Sequence, residues 1–338
     1  MRELLKTEHL SVSFFTKAGE VEAVRDVSLT VEEGEVLAIV GESGCGKSAL
    51  CKSIMKLLPK TAKIKSGKIL ADGIDITDYA ERNMSRLRGA LFSIIFQDPM
   101  TSLNPTMTIG KQIGEAVRIH NKKMPKKQVK EKVLELMQLV EIDEPEVRIS
   151  QYPHEFSGGM RQRAVMAIAL AGNPKILFAD EPTTALDVTI QAQILDVFRK
   201  IQKKLGMATV FISHDLGVVA GVADRVAVMY AGKIVEIGTA EEIFYDPRHP
   251  YTWGLLQSLP ILSRGKEWLP TLPGMPPTLI HPPKGDAFAE RNAYAMRIDY
   301  EKEPPVFQVT DTHYAATWLL DERAPEVKAP IGERRYGK

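Results

Sequence analysis

The chain has 338 residues, with 44 Lys and Arg against 43 Asp and Glu and a formal net charge of +1. This balance lacks the dominant basic surface that is typical of proteins bound to nucleic acid, so we expect no nucleic-acid partner. A hydrophobic fraction of 44% is ordinary for a protein with a substantial core, and the length suits one large domain with an appendage, or two domains.

Cysteine content and hydropathy indicate the compartment. The two cysteines, Cys45 and Cys51, are too few for a disulfide framework, which fits a reducing cytosol. The first residues are polar and show no signal-peptide pattern, and no run approaches the roughly 20 apolar residues of a membrane span. We therefore expect that any role at a membrane is carried out from outside the bilayer, through a partner.

The N-terminal part of the chain predicts short β-strands. Residues 10–14 and 27–31 alternate apolar and polar side chains, the period of a half-buried strand, and residues 17–20 between them are turn-like. Phe14 ends the first of these strands. Its ring could stack on a nucleotide base or lie in the core, and periodicity alone favours the core.

Residues 41–48 read GESGCGKS, follow the apolar run 36–40 and precede a predicted helix over residues 49–58. This is the phosphate-binding pattern G-x-x-x-x-G-K-[ST] in its strand–loop–helix context, although a bare turn is the alternative. Glycines let backbone N–H groups turn toward a polyphosphate, and the helix N-terminus adds partial positive charge. Lys47 would reach the β- and γ-phosphates, and the Ser48 hydroxyl would ligate Mg²⁺. The predicted ATP contacts of this segment are Gly41, Ser43, Gly44, Cys45, Gly46, Lys47, Ser48 and Ala49.

The next stretch predicts a hairpin, a strand and a helical region. Residues 66–76 contain the turn pair Asp72-Gly73, and residues 93–96 predict a buried strand with Gln97 at its end. Residues 109–140 have helical periodicity that is interrupted near Pro125. The lysines of this region indicate a solvated face.

Two further segments place polar residues where a phosphate could be bound. Ser157, Gly158 and Gly159 open a helix that continues to residue 170, which makes a second anion-binding helix start, although Ser-Gly-Gly is also a common loop. The apolar strand 176–180 ends in Asp180 and Glu181. Asp180 fits the Mg²⁺-coordinating acid of a phosphate-loop protein, and Glu181 could orient or deprotonate water. A solvated acid pair is the alternative.

A last apolar strand, residues 208–212, is followed by His214, which we predict to contact a γ-phosphate, although a lone histidine is more often structural. Because strands alternate with helices, the pattern predicts an α/β fold with a largely parallel, doubly wound sheet. After about residue 258 the chain becomes an extended proline-rich connector, and residues 285–320 indicate a small appended module. The connector prolines are Pro260, Pro270, Pro273, Pro276, Pro277, Pro282 and Pro283.

Five elements follow one another along the chain: the phosphate loop, Gln97, the Ser-Gly-Gly helix start, the Asp180–Glu181 pair and His214. This order resembles the nucleotide-binding subunit of ATP-binding-cassette (ABC) transporters. The resemblance implies a RecA-like core with a mostly parallel sheet, an N-terminal antiparallel β subdomain and a helical signature subdomain at about residues 98–165. Residues 1–260 would form this cassette, and residues 261–338 would form the linker and a C-terminal extension.

The resemblance also implies roles for individual residues. Phe14 would stack on adenine, contrary to what periodicity favours, and Gln97 would contact Mg²⁺ and signal to a membrane subunit. Ser157, Gly158, Gly159 and Asp187 would contact the ATP of a partner cassette. Glu181 and His214 would be catalytic, and Mg²⁺ would be held by Ser48, Gln97 and Asp180.

Residues 97–105, 152–163 and 249–252 are similar to the oligopeptide and dipeptide importers, in particular to their D-type ATPase subunit. The similarity implies an ATPase at the cytoplasmic face of the cell membrane. Its partners would be a second, related cassette in a heterodimer, two transmembrane permease subunits and an extracytoplasmic peptide-binding protein. Nickel or a sugar oligomer is an alternative cargo. A non-transport ABC ATPase would need a coiled-coil insertion or zinc-binding cysteines, which the sequence lacks.

Many members of this subfamily carry four cysteines in the C-terminal extension that hold an iron–sulfur cluster. The corresponding residues here are Asp286, Asn292, Asp299 and Thr317. None of them is a thiolate, so we expect no such cluster. The extension would instead keep its shape through Phe288, Tyr294, Met296, Phe307, Tyr314 and Trp318. The two acids could alternatively hold Ca²⁺, but an isolated pair of carboxylates is more often solvated.

Overall fold

The structure is a computed structural model that describes residues 2–184, 186–259 and 272–330. Pro260 and Pro270 of the predicted connector lie outside the described residues. The strands are β1 Glu3–Thr16, β2 Gly19–Glu32, β3 Val36–Val40, β4 Ala62–Ala71, β5 Ile74–Asp75, β6 Phe92–Ile95, β7 Ile176–Asp180, β8 Ala208–Ser213, β9 Arg225–Tyr230, β10 Lys233–Thr239, β11 Phe307–Gln308 and β12 Tyr314–Ala315.

Helices are distributed between the strands. They are α1 Lys47–Ile54, α2 Glu81–Leu87, α3 Pro99–Ser102, α4 Ile109–His120, α5 Lys126–Leu139, α6 Pro145–Arg148, α7 Gly158–Leu170, α8 Val188–Leu205, α9 Leu216–Ala220, α10 Ala240–Tyr245, α11 Pro250–Gln257 and α12 Arg297–Glu301, with 3₁₀ turns at Pro153–Glu155, Ala289–Arg291 and Trp318–Leu320. No helix of the described segments has both the length and the hydrophobicity that a bilayer crossing needs.

The chain forms two compact units. The first contains residues 2–4, 31–35 and 78–212, and the second contains residues 5–30, 36–77 and the described residues from 213 onward. These units are not the predicted cassette and extension, whose boundary at residue 260 stays a prediction.

In the first unit, β6 pairs in parallel with β7, and β7 pairs in parallel with β8. All five residues of β7 are buried, as expected for a parallel strand that is covered on both faces. Aromatic pairs fill the surrounding core: the ring centroids of Phe198 and Phe211 are 5.6 Å apart. The parallel pairing brings the carboxyl ends of these strands to one edge, where Asp180 ends β7.

The helical periodicity predicted over residues 109–140 corresponds to two helices of the first unit. Helix α4 ends at His120 and α5 begins after Pro125, so the predicted interruption is confirmed. Proline at this position lacks a backbone N–H and therefore suits a helix start. One detail of the predicted strand 93–96 is wrong, because β6 ends at Ile95 and Phe96 is 42% exposed.

In the second unit, the N-terminal strands form an antiparallel sheet in the order β2-β1-β4-β5. The predicted turn between β4 and β5 is confirmed. Asp72 and Gly73 have φ of 50° and 79°, left-handed values that glycine and aspartate tolerate best. Strand β1 is longer than predicted and ends at Thr16, so Phe14 lies within it and is half-buried.

The second unit also contains a mixed set of strands. β3 pairs in parallel with β9, and β10 pairs with β9 in the antiparallel sense. β12 of the C-terminal extension pairs with β10, and β11 pairs with β12. Backbone hydrogen bonds between β12 and β10 thus join the extension to the cassette strands.

Side chains also attach the extension to this unit. Phe288 is 1% exposed, and its ring makes edge contacts with Tyr230 and Tyr251, with centroids 5.3 and 5.4 Å apart. His313 and the carboxylate of Glu236 on β10 are both fully buried, 2.8 Å apart. Of the six residues expected to shape the extension, only Phe288 is fully buried; the other five are half-buried.

We predict that Phe288→Ala lowers the free energy of unfolding by about 3–5 kcal/mol, because the substitution leaves a cavity among aromatic rings that cannot close over it. The measurement is urea denaturation of the full chain. Val306→Ala is the matched control: Val306 is 66% exposed, so its truncation should cost less than about 0.5 kcal/mol. Equal losses from both variants would contradict the packing described here.

Candidate functional site

The phosphate loop lies between β3 and α1 in the second unit. Gly41 and Gly46 have φ of 153° and 109°, and both glycines are in close contact with other backbone. A Cβ at Gly41 would lie 2.1 Å from the Met229 carbonyl oxygen, and a Cβ at Gly46 would lie 2.2 Å from that of Ala23. No side chain fits at either position, so glycine is required by space as well as by conformation.

Lys47 is the cation of this loop and is 5% exposed. Its Nζ donates to the carbonyl oxygens of Gly41 (2.7 Å) and Glu42 (2.9 Å). The Cys45 Sγ lies 3.7 Å from the same Nζ, and burial raises the pKa of the Cys45 thiol. The thiol is therefore neutral at physiological pH and does not add a negative charge where phosphates would bind.

Residues far along the chain hold the outer side of the loop. The Glu42 backbone N–H donates to the Tyr251 hydroxyl at 2.9 Å, and the Gly232 N–H donates to the Cys45 carbonyl oxygen at 3.0 Å. Arg291 of the extension makes two hydrogen bonds to the Glu42 carboxylate. The sequence did not predict these contacts. Glu42 is a variable position of the phosphate-loop pattern, Tyr251 lies in the importer-like segment 249–252, and Arg291 lies in no motif.

Phe14 and His214 also belong to the second unit. Phe14 faces Ala62 across the β1–β4 pair. The neighbouring ring of Phe15 is exposed, and the Lys65 Nζ lies 5.4 Å from its centroid. His214 is exposed and precedes Asp215, whose side chain caps α9 by accepting the Gly217 N–H at 2.8 Å. This cap fixes the backbone directly after His214.

In the first unit, Glu181 follows β7 in a left-handed conformation with φ of 49°. Its backbone N–H donates to the Ile212 carbonyl oxygen, which holds this conformation in place. The Glu181 carboxylate accepts from Gln97 Nε2 at 3.0 Å and from Thr184 Oγ1 at 2.9 Å. Two residues predicted from separate motifs, Gln97 and Glu181, are thus in direct contact. Thr184 is a further contact that the sequence did not single out.

The Ser-Gly-Gly helix start and the Asp187 segment are also neighbours in the first unit. The Ser157 Oγ accepts the Met160 N–H and caps α7, and Asp187 caps α8 by accepting the Ile190 N–H at 3.0 Å. A Cβ at Gly159 would lie 2.7 Å from the Ile190 Cγ2, so this glycine allows the two helix starts to approach. Ala185, between Thr184 and Asp187, lies outside the described residues.

The predicted site residues are therefore divided between the units. Phe14, residues 41–49 and His214 belong to the second unit, and Gln97, residues 157–159, Asp180, Glu181 and Asp187 belong to the first. Asp180 is 6% exposed. Within the described ranges, no group of three or more His, Cys, Asp or Glu side chains could hold a metal ion.

The four residues that stand at the predicted cluster positions share one structural role. Asp286, Asn292 and Thr317 each accept the backbone N–H of the residue two positions later, and Asp299 accepts the Met296 N–H. All four side chains are buried. The interpretation of the two acids as solvated is therefore wrong. Each short polar side chain fixes a local turn by accepting a backbone N–H, and the side chain itself is buried.

Burial has an electrostatic consequence at Asp286. Removal from water raises the pKa of this carboxyl to about 6, although the Phe288 N–H works in the opposite direction. The nearby carboxylate of Asp299 adds to the increase, and burial raises the pKa of Asp299 as well. Asp286 is thus a group that the fold holds more easily when it is neutral.

Three features together define an ATP-binding cassette, an ATPase of the α/β phosphate-loop class. They are the parallel strands, the glycine-rich phosphate loop and the capped Ser-Gly-Gly helix start. The family model described as "ABC transporter" matches residues 24–184. A solved cassette dimer in a post-hydrolysis state with ADP and Pi has a TM-score of 0.63 and 26% identity, covering 70% of this chain and 99% of that one. CbiO1 from Clostridium perfringens, part of an ABC transporter complex, has a TM-score of 0.64 and 28% identity, covering 73% and 92% of the two chains.

A second family model, "Oligopeptide/dipeptide transporter, C-terminal region", matches residues 235–298. The oligopeptide transport ATP-binding protein OppD of Bacillus subtilis is 59% identical, covering 97% of this chain and 92% of that protein. The dipeptide transport ATP-binding protein DppD of Lactococcus lactis is 57% identical, covering 96% and 93%. The chain belongs to the ATP-binding subunits of oligopeptide and dipeptide ABC transporters.

We predict that Asp286→Asn stabilises the chain at pH 7.5 by on the order of 1–3 kcal/mol and has little effect near pH 4. The folded state of the wild type binds this proton more tightly than the unfolded state, so its stability falls as the pH rises from about 4 to about 6. Asparagine keeps the acceptor for the Phe288 N–H without the charge.

The measurement is urea denaturation of both proteins across this pH range. The control is Asp311→Asn, which removes an exposed carboxylate of the same extension. A stability difference between Asp286→Asn and the wild type that does not change with pH would contradict the assignment.

Proposed function

We propose that this chain is one of two ATP-hydrolysing cassettes of a peptide importer. Its family membership and the match of residues 235–298 to the oligopeptide/dipeptide C-terminal region support peptides as the cargo. The observation that carries the catalytic part is the placement of Glu181. Its carboxylate is held by Gln97 and Thr184 at the carboxyl end of a buried strand, where ligands of such sheets bind.

The phosphate loop would bind the triphosphate through its backbone N–H groups and through Lys47. Lys47 lies against two loop carbonyls, which hold its Nζ at the loop that would bind the phosphates. Phe14 would hold the adenine ring by stacking. The residues proposed to contact ATP in this way are Phe14, Gly41, Ser43, Gly44, Cys45, Gly46, Lys47, Ser48, Ala49 and Gln97.

The chemistry of the side chains suits Mg²⁺, which prefers oxygen ligands. Ser48 offers a hydroxyl and Asp180 a carboxylate, and Gln97 offers its amide oxygen because its Nε2 is used toward Glu181. Bound Mg²⁺ would neutralise charge on the β- and γ-phosphates.

Glu181 would position the attacking water and accept its proton, and His214 would contact the γ-phosphate. The signature residues Ser157, Gly158 and Gly159, together with Asp187, would complete the ATP site of a partner cassette. The cap on α7 supports this role, because it orders a helix start whose N–H groups can face an anion. Hydrolysis would then require two cassettes.

We further propose that the partner is a related but different cassette, and that the pair binds two permease subunits at the cytoplasmic face of the membrane. An extracytoplasmic peptide-binding protein would deliver the cargo to the permeases. The permeases would then open toward opposite sides of the membrane as ATP is bound and hydrolysed.

We predict that Glu181→Gln binds ATP but hydrolyses it at least about 100-fold more slowly, since the substitution keeps size and hydrogen bonding but removes the base. The variant should accumulate closed cassette dimers with ATP, measured by size-exclusion chromatography. Glu33→Gln is the control, because Glu33 lies exposed in the turn before β3. Hydrolysis by Glu181→Gln at the wild-type rate would exclude the catalytic role.

A second experiment tests the assembly and its cargo. Affinity-tagged chain, isolated from detergent-solubilised membranes of its source cells, should recover two permeases and a second cassette.

Cells that carry only Lys47→Ala should lose uptake of labelled di- to hexapeptides, because the loop cannot neutralise ATP without this cation. Loss of nickel or oligosaccharide uptake with normal peptide uptake would reassign the cargo. Recovery of a homodimer without permeases would contradict the assembly.

A further inference from the structure

Glu42, the second residue of the phosphate loop, is bound by a residue of the C-terminal extension, 249 positions away. Arg291 Nη1 lies 2.6 Å from Glu42 Oε2, and Arg291 Nη2 lies 2.9 Å from Glu42 Oε1. This is a bidentate pair, the strongest and most directional arrangement of these two side chains. The Arg291 side chain is 5% exposed and that of Glu42 is 28% exposed, so water screens the pair only in part.

The other contacts of Arg291 leave little freedom for its guanidinium group. Nε donates to the Pro273 carbonyl oxygen at 2.7 Å, and Nη1 also lies 3.3 Å from the Tyr230 hydroxyl. The guanidinium carbon lies 5.7 Å from the Tyr230 ring centroid and 6.0 Å from that of Phe288. The extension therefore presents a fixed cation to the loop, and not a flexible surface arginine.

Glu42 is also the residue through which the loop backbone is held. Its N–H donates to the Tyr251 hydroxyl, and its carbonyl oxygen accepts from Lys47 Nζ. A shift of Glu42 would therefore move one of the two carbonyls that bind the lysine predicted to contact the phosphates. The side-chain bond to Arg291 and the backbone bond to Tyr251 thus hold the same residue.

The charge of Glu42 is a second reason why a cation is needed at this position. A carboxylate in a loop that binds a polyanion would repel that polyanion unless a cation compensates it. Arg291 supplies this cation from the side of Glu42 that is packed against the extension. Part of the loop's affinity for a nucleotide would then depend on a residue outside the cassette motif.

We propose that Arg291 is a positioning residue for ATP binding, through which the C-terminal extension neutralises Glu42 and holds the phosphate loop in its binding conformation. The extension is then a part of the nucleotide site in this chain. This role of Arg291 rests on the proposed ATP site, but on neither the cargo nor the partner cassette.

We expect Arg291→Gln to raise the Kd for MgATP of the full chain about tenfold, measured by calorimetry. In the assembled ATPase, KM should rise by a similar factor while kcat changes less than about twofold. The loss arises from an uncompensated Glu42, so Glu42→Gln in the same chain should restore affinity. The double variant is expected within about threefold of Glu42→Gln alone.

Lys233→Gln is the matched control. Lys233 makes an ion pair with Glu303 of the extension at 2.5 Å, so its loss weakens attachment of the extension without touching Glu42. We expect its Kd for MgATP to equal that of the wild type. Arg291→Lys, which keeps the charge but loses the bidentate geometry, should recover part of the affinity.

Two results would overturn the proposal. The first is an unchanged Kd in Arg291→Gln, or a loss that Glu42→Gln does not repair, which would make Arg291 a packing residue only. The second is a fall in kcat and in the folded fraction at constant KM. A wild-type chain that binds no ATP would instead count against the proposed function, so the two failures are distinguishable.

Discussion

The nucleotide site of this chain depends on how closely backbone segments can approach the phosphate loop. Gly41 and Gly46 lie so near the carbonyl oxygens of Met229 and Ala23 that any side chain would collide with them. The loop is therefore shaped by neighbouring backbone on β2 and β9, and the lysine at the start of α1 is directed into it. Because these neighbours are backbone atoms, a side chain at either glycine could not be accommodated by a change of rotamer.

The outer side of the same loop is held by side chains. Tyr251 accepts the Glu42 N–H, and Arg291 binds the Glu42 carboxylate. Both contacts lie beside a cluster of aromatic rings around Phe288, which excludes water and strengthens the hydrogen bonds within it. The C-terminal extension is thus attached to the cassette by these side chains, and also by the pairing of β12 with β10.

The extension also buries polar side chains. Its turns are fixed by four short polar side chains, each of which accepts a backbone N–H. These hydrogen bonds replace solvent for the backbone, but Asp286 retains a charge at neutral pH that its buried position disfavours. The module therefore folds with a local electrostatic cost that aromatic packing offsets.

Sequence alone determined the elements whose chemistry is local. The phosphate loop, the Asp180–Glu181 strand end and the Ser-Gly-Gly helix start each need particular residue types within a few positions, so their patterns predict both structure and role. The buried strands were predictable for the same reason, since a short continuous apolar run is typical of a strand that is covered on both faces. The contact of Gln97 with Glu181, the pairing of Arg291 with Glu42 and the burial of Asp286 were decided only by the tertiary structure. They join residues that are distant in the chain, and no local periodicity or spacing encodes which distant side chain will compensate a charge.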